Sequence, residues 1–564
     1  MPSSLPSTEP VPETGSNAGA AVDTGLGSQT KSVARSAGIV SVAVMASRVT
    51  GLLRESFMAS KFGASMEYDA FMLGFRIPNL TRDLFAEGAL SSAFVPTFTE
   101  YLQTKPKEEA VRLVNLVATA LILVVGALCL AGVIFAPQLV DLIASGFRNE
   151  PGKFELAVRM TRIMFPFLLV VALAAQVMGV LNACNIFGVP ALASTFFNIG
   201  SVTFGFLLGF VVGPSLGISR IEGMAWGVVL GGTLQLLWQM PSFFRMGFRF
   251  WPEIDWSHPG MRRILALMGP AILGNAAVQI NVMINTDFAS QLYDPVRGSN
   301  GAVSWLGYAF RFMQLPIGIF GVAIASATVP AISRTIARED FDDFRRTMSN
   351  SLAMVFLLTI PSSVGLAVLG EAIIGSIYQR GAFNYYDTQR TATALSFYAI
   401  GLAGYSALKV VTPAYYALKD ARTPMLISLL SIVTNYIFAS RVTKWAGLGH
   451  SGLALSTSAV AIVGFLILYG NLYRRVGGLY GRNLMRTVVQ VSAASALMGA
   501  VVWFLGTELH ARLGTTQLAH LSTIAISIPV GIAVFYYSCR VLKVAELDLA
   551  FGSVLAPIRR RLKL

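Results

Sequence analysis

Residues 47–56 read SRVTGLLRES and stand inside a largely apolar run from Ala37 to Ala59, a segment long enough to cross a bilayer. Arg48 falls about midway along it. An arginine at mid-bilayer costs about 2.5 to 3.5 kcal/mol on insertion scales, so Arg48 must face a wet cavity or a counter-charge, not lipid. Arg54 follows six residues later, which on a helix means roughly 9 Å of rise and 120° of rotation. Both arginines can face one broad cavity if the helix bends at Gly51. Glu55 lies nearly on the Arg48 face two turns on and is a candidate partner for one arginine.

The rest of the chain is as apolar as this run. Of 564 residues, 54% are hydrophobic and 13% charged, about half the charge of an ordinary soluble domain. The expected fold is an all-α polytopic membrane protein. A net charge of +14 then reads as basic loops facing anionic lipid, not as a nucleic-acid surface. Cys129, Cys184 and Cys539 are far apart in sequence and outline neither a disulfide framework nor a metal site. Residues 1–33 are rich in Ser, Gly, Pro and Thr, lack a signal-peptide pattern, and read as a disordered cytoplasmic tail.

Apolar stretches of about 20 residues predict fourteen transmembrane helices, from 37–60 to 520–542. Most of the 43 lysines and arginines fall on the side that holds both termini, which places the termini in the cytoplasm. Two segments also repeat. ALSSAFVPTFT (89–99) resembles AIASATVPAIS (323–333), so that Pro96 and Pro330 stand 234 positions apart, as do Pro190 and Pro424. Arg76 and Arg311 end the matching tripeptides GFR and AFR one position out of step. The offset holds six helices, an even number, so the two copies enter the membrane in the same direction. The expected organisation is two pseudo-symmetric six-helix lobes, 34–262 and 263–478. Two added helices follow in 479–545, and then a basic cytoplasmic tail, 546–564.

Binding sites in such repeats lie between the lobes, and Arg76, Arg82, Arg311 and Lys409 join Arg48 and Arg54 in segments around that interface. Arginine's planar fork suits phosphate oxygens, and several arginines suit a pyrophosphate. Pairing of single arginines with Glu55, Asp69, Asp83 or Glu87 is the competing explanation. The second stretch, DAFMLGFRIPNLTRDLFAEGALSSAFVP (69–96), holds Pro78, which removes a helix donor and is expected to kink or end the helix there; Asn79 follows it. In 269–290, Asn275, Gln279, Asn281, Asn285 and Asp287 either line the cavity or bind neighbouring helices together. Gly223, Gly227 and Gly231 form a double GxxxG, whose ordinary meaning is close helix packing. The GxGxxG at 447–452 follows no strand, there is no Walker A sequence, and the four histidines have no metal-site spacing.

SRVTGLLRES together with GASMEYDAFMLGFRIPNLTRDLFAEGALSSAFVPTFTEY (63–101) closely resembles the signature of the MurJ (MviN) family of lipid II flippases. MGPAILGNAAVQINVMINT (268–286), SWLGYAFRFMQLPIGIFGVAIASATVPAIS (304–333) and VVTPAYYALKDARTP (410–424) resemble the same family in order and spacing. The resemblance implies the fourteen-helix fold of the MOP exporter superfamily, with a cationic central cavity and a lipid-tail groove on the last two helices. It implies no enzymatic activity and no cofactor, with coupling to the membrane potential or to a cation left open. The implied substrate is lipid II, an undecaprenyl-pyrophosphate-linked disaccharide pentapeptide. Membrane lipids and the cell-wall synthesis machinery are the other implied partners, in a bacterial cytoplasmic membrane. The family's cavity arginines fall on Arg48, Arg54, Arg82 and Arg311 and its helix-2 acid on Asp69; Glu55, Arg76, Asn79 and Gln279 complete the candidate site. Phe310 departs from relatives that have an acid before Arg311. A flippase for another lipid-linked oligosaccharide and a non-transporting cell-wall scaffold are the alternatives.

Overall fold

The computed structural model describes residues 19–82, 90–443 and 448–547. The first half comprises α1 (Gly19–Phe62), α2 (Met66–Arg82), α3 (Ser91–Thr104), α4 (Lys107–Ile134), α5 (Ala136–Ile143), α6 (Lys153–Met164), α7 (Pro166–Ala183), α8 (Gly188–Phe206) and α9 (Arg220–Arg245). The second comprises α10 (Pro259–Ser290), α11 (Ala302–Pro316), α12 (Ala323–Ala337), α13 (Phe341–Val368), α14 (Gly370–Tyr378), α15 (Tyr385–Ala417), α16 (Arg422–Val442) and α17 (Gly449–Arg475). Helices α18 (Gly481–Leu513) and α19 (Gln517–Val541) follow, packed on each other and against α13 and α14.

Among the described residues, 10 helical stretches are long and apolar enough to cross a membrane. The described residues of the other four predicted stretches are helical as well: 37–60 in α1, 68–82 in α2 with 91–92 at the start of α3, 222–244 in α9 and 264–290 in α10. Glycines in α9 lower its hydropathy.

Two expectations need correction. Residues 19–33, read as irregular tail, are helical and continue α1; once a long helix is nucleated, adding a turn costs little. Residues 1–18 and 548–564, and with them most of both predicted tails, lie outside the described residues, as do Asp83 and Glu87. Of the two outcomes expected at Pro78, an end to the helix is the one overturned: α2 runs through it to Arg82. The proline removes one donor, yet packing holds the helix: Gly74, one turn earlier, lies so close to Met160 that a Cβ there would sit 2.7 Å from it.

The paired prolines fall within helices. Pro190 and Pro424 each occupy the third position of a helix, α8 and α16, and Pro96 and Pro330 lie inside α3 and α12. The double GxxxG seats α9 on α8 and on the helical turn Leu207–Val211 that continues it: a Cβ on Gly223 would meet the Gly209 nitrogen at 2.2 Å, and one on Gly227 the Ser201 carbonyl at 2.5 Å. Close approach without side chains is how membrane helices gain packing contact where lipid supplies no hydrophobic drive.

Candidate functional site

A cavity of about 1940 Å³ lies between the two halves. Arg48, Arg54, Glu55, Arg76, Asn79, Arg82, Gln279 and Arg311 all line it. Its wall thus carries five arginines and, among the described residues, one carboxylate.

Helix α1 supplies Arg48 and Arg54, and they face the cavity together. Arg48 makes no ion pair among the described residues; its guanidinium would lie 3.0 Å from a Cβ placed on Gly318, in the opposite half. Arg54 lies over the rings of Phe75 (5.7 Å) and Phe197 (5.3 Å) and 3.6 Å from Glu55. Glu55 also binds Arg311 of α11 across the interface, and Tyr378 donates its hydroxyl to the other carboxylate oxygen at 3.2 Å. The sequence left Glu55 either as an arginine partner or as cavity lining; it is both, and it serves Arg54 and Arg311, not Arg48. With Phe310 in the preceding position, Arg311 takes its counter-charge from the other half. Arg76 donates to Thr286 of α10 at 2.6 Å, and Asn79 donates to the Phe75 carbonyl of its own helix at 3.0 Å.

Asp69 is the main correction to the candidate set: it does not line the cavity. It is 1% exposed and accepts from Lys153 (2.8 Å), from the Gly301 and Ser304 backbone N–H groups (2.8 and 3.0 Å) and from the Ser304 hydroxyl. Lys153, itself fully buried, spends its other protons on the Ser299 carbonyl (2.7 Å) and Asn300 Oδ1 (3.0 Å). A buried pair of opposite charges is tolerated when every donor and acceptor is satisfied, as here. Asp69 therefore ties α2 and α6 to the loop before α11 instead of touching a ligand. Lys409, also expected in the cavity, is exposed and does not line it.

The Asp69 cluster belongs to one sealed end of the interface. There the Ala382 N–H donates to the Ser60 carbonyl at 2.9 Å, Tyr308 donates to Gly63, and the rings of Tyr68 and Tyr308 stack at 5.0 Å as the cavity floor. Asp294, in the loop at the same end, accepts from the Tyr386 hydroxyl (2.7 Å) and the backbone of Val296 and Arg297, and pairs with Arg390. Burial pushes its carboxyl upward, but these donors outweigh burial and hold it below the usual range. From the floor the cavity extends to Val40, Ala421 and Pro424 near the opposite ends of the helices.

The amides of α10 line the cavity and also bind helices. Asn281 donates to Ser431 (2.9 Å), Asn285 to Thr457 (2.9 Å), and Asn435 to Asn285 (3.1 Å), joining α10, α16 and α17. Asp287 accepts from the backbone and hydroxyl of Ser145 at 3.0 and 2.7 Å; the Asn275 side chain lies outside the described residues. Sequence reasoning missed Lys153, Tyr378 and Thr286. In the sequence Lys153 lies among polar residues between two predicted spans, and no local pattern announces that its partner is 84 residues away.

The family model described as "Lipid II flippase MurJ" matches residues 58–542. A lipid II flippase MurJ of Burkholderia cenocepacia is 35% identical over 475 residues, covering 82% of this chain and 88% of its own length. A probable lipid II flippase MurJ of Vibrio cholerae is 33% identical over 487 residues, covering 85% and 90%. Among solved structures, a lipid II flippase MurJ in an inward closed conformation superposes with a TM-score of 0.72 at 27% identity, covering 89% of this chain and 99% of that one. An inward-facing multidrug resistance MATE family transporter of the MOP superfamily shares the fold, with a TM-score of 0.57 at 15% identity. Sequence, fold and cavity agree that this multi-pass membrane protein belongs to the MurJ lipid II flippase family.

Proposed function

We propose that the chain carries lipid II from the cytoplasmic to the outer leaflet of a bacterial cytoplasmic membrane, both termini being cytoplasmic, and that it does so by alternating access. The observation that carries this reading is the cavity wall, which among the described residues sets five arginines against one carboxylate, an arrangement suited to a pyrophosphate. The sealed end around Asp69 and Tyr308 is then the outer gate, and the cavity is presented to the cytoplasm. The pyrophosphate enters between Arg48, Arg54 and Arg311 and competes with Glu55 for the last two. Neutralising the cavity lowers the cost of closing it around the head group and lets the halves rock. The polyprenyl chain stays in lipid beside α18 and α19. Net charge moved through the membrane field is worth about 2.3 kcal/mol per charge per 100 mV, so transport is voltage-sensitive. The reaction breaks no bond, and the reading needs neither a catalytic group nor a cofactor.

The test is rescue of a cell depleted of its own flippase, with lipid II accessibility at the outer leaflet as the readout. The wild-type chain is expected to restore it and Arg48→Ala to fail while still inserting in the membrane. Full rescue by Arg48→Ala would sink the assignment.

A further inference from the structure

The segment that joins the two halves, 246–258, is not helical, and its side chains sort by character. Its acids are paired: Arg112 of α4 binds Glu253 at 3.3 Å and Asp255 at 3.4 Å, and the Glu253 N–H donates to Thr119 at 3.1 Å. Phe248 is buried against Phe98 and Phe243, with ring centroids 5.9 and 5.4 Å away. The outward side is the reverse. Trp251 is 70% exposed, Ile254 67% and Trp256 45%. Arg245 and Arg249 flank Gly247, whose φ of +85° turns the chain toward Lys107; a Cβ there would stand 3.0 Å from the Lys107 ammonium. None of these three cations has an ion-pair partner among the described residues.

The segment lies at the end of the bundle opposite the sealed one, since α10 carries the chain roughly 48 Å over its 32 residues. Exposed tryptophans beside unpaired cations are the composition of a membrane–water interface, where indoles sit at head-group level and basic residues attract anionic lipid. The acids that would repel such lipid are already held by Arg112.

We propose that this linker is an interfacial strap that binds anionic lipid head groups through Lys107, Arg245 and Arg249, with Trp251 and Trp256 inserted among them. Because the strap is the covalent joint between the halves, lipid held there restrains how far they rock. The inference rests on the membrane orientation given under the proposed function, which makes the bound leaflet the cytoplasmic one.

The full chain in phosphatidylcholine nanodiscs would be titrated with increasing fractions of brominated phosphatidylglycerol or brominated phosphatidylcholine, following tryptophan quenching. The anionic lipid is expected to quench at lower fractions. W251F/W256F should abolish the difference between the two lipids, leaving the quenching that exposed Trp226 and Trp503 share, and K107Q/R245Q/R249Q should weaken the apparent preference roughly a hundredfold, at about 0.7 decade per cation. Equal quenching by the two lipids, or an undiminished preference in the charge variant, overturns the strap. Competition by inorganic phosphate would assign the site to a free anion and overturn the membrane source. No transport step enters this readout, so a chain that fails to rescue the depleted cell yet keeps the preference loses the flippase assignment and not the strap.

Discussion

Glu55 on α1 reaches across the interface to Arg311 on α11, so the one carboxylate of the cavity wall among the described residues holds an arginine from each half. It occupies the position that an anionic ligand would take. Removing its charge leaves Arg54 and Arg311 uncompensated in a partly buried site. Glu55→Gln is therefore expected to bind a pyrophosphate probe on the order of tenfold more tightly, given that a contact charge near a protein surface is worth a few kcal/mol, and to turn over more slowly. Isothermal titration with a soluble pyrophosphate, paired with the depletion–rescue assay, separates the two effects; weaker binding by Glu55→Gln would contradict this account.

Asp69 and Lys153 are both nearly inaccessible and hold the sealed end together. Asp69→Asn leaves a buried ammonium without its counter-charge, so it is expected to cost about 3 to 5 kcal/mol. It should also admit cysteine reagents to the cavity floor from the sealed side. The double variant Asp69→Asn, Lys153→Met should recover part of the loss, because no buried charge is stranded. Thermal melts of the detergent-solubilised chain check the first point and accessibility of a cysteine at Tyr308 the second.

Gly227 stands where α8 and α9 touch backbone to backbone. Gly227→Leu forces them apart, at a cost of about 1 to 3 kcal/mol or more from overpacking. Gly126→Leu on α4, with nothing within 4 Å of its Cβ, is expected to leave stability unchanged. The melting temperatures of the two variants should differ in that order.

Asp294 at the sealed end is held below the usual carboxyl range by Tyr386, the loop backbone and Arg390, which together outweigh burial. A carboxyl with a depressed folded value contributes stability above its unfolded value, about 3.9, and loses it as pH falls through the lower folded value. The melting temperature of the wild type should thus be insensitive to this group at neutral pH and fall below about pH 4, whereas Asp294→Asn should be less stable at neutral pH and flatter in acid. Melts collected from neutral pH to pH 3 compare the two slopes.

Much of the site was legible because burial of charge in lipid is costly enough to need a reason. Arg48, Arg54 and Arg311 stand out on that ground, and the Pro96/Pro330 and Pro190/Pro424 spacings suggest an internal duplication. Length and hydropathy alone determined an all-helical membrane protein, since each helix satisfies its own backbone and must match the bilayer. What the sequence by itself left undecided was partnership. Glu55 could serve either neighbouring arginine or the cavity, and it took Arg311 256 residues away. Asp69 read as a cavity acid and became half of a buried ion pair with Lys153, a residue that lies between two predicted spans. Both outcomes depend on which helix faces bring distant side chains within a few ångströms, and that is set by the packing of the halves against each other, not by any local pattern in the chain.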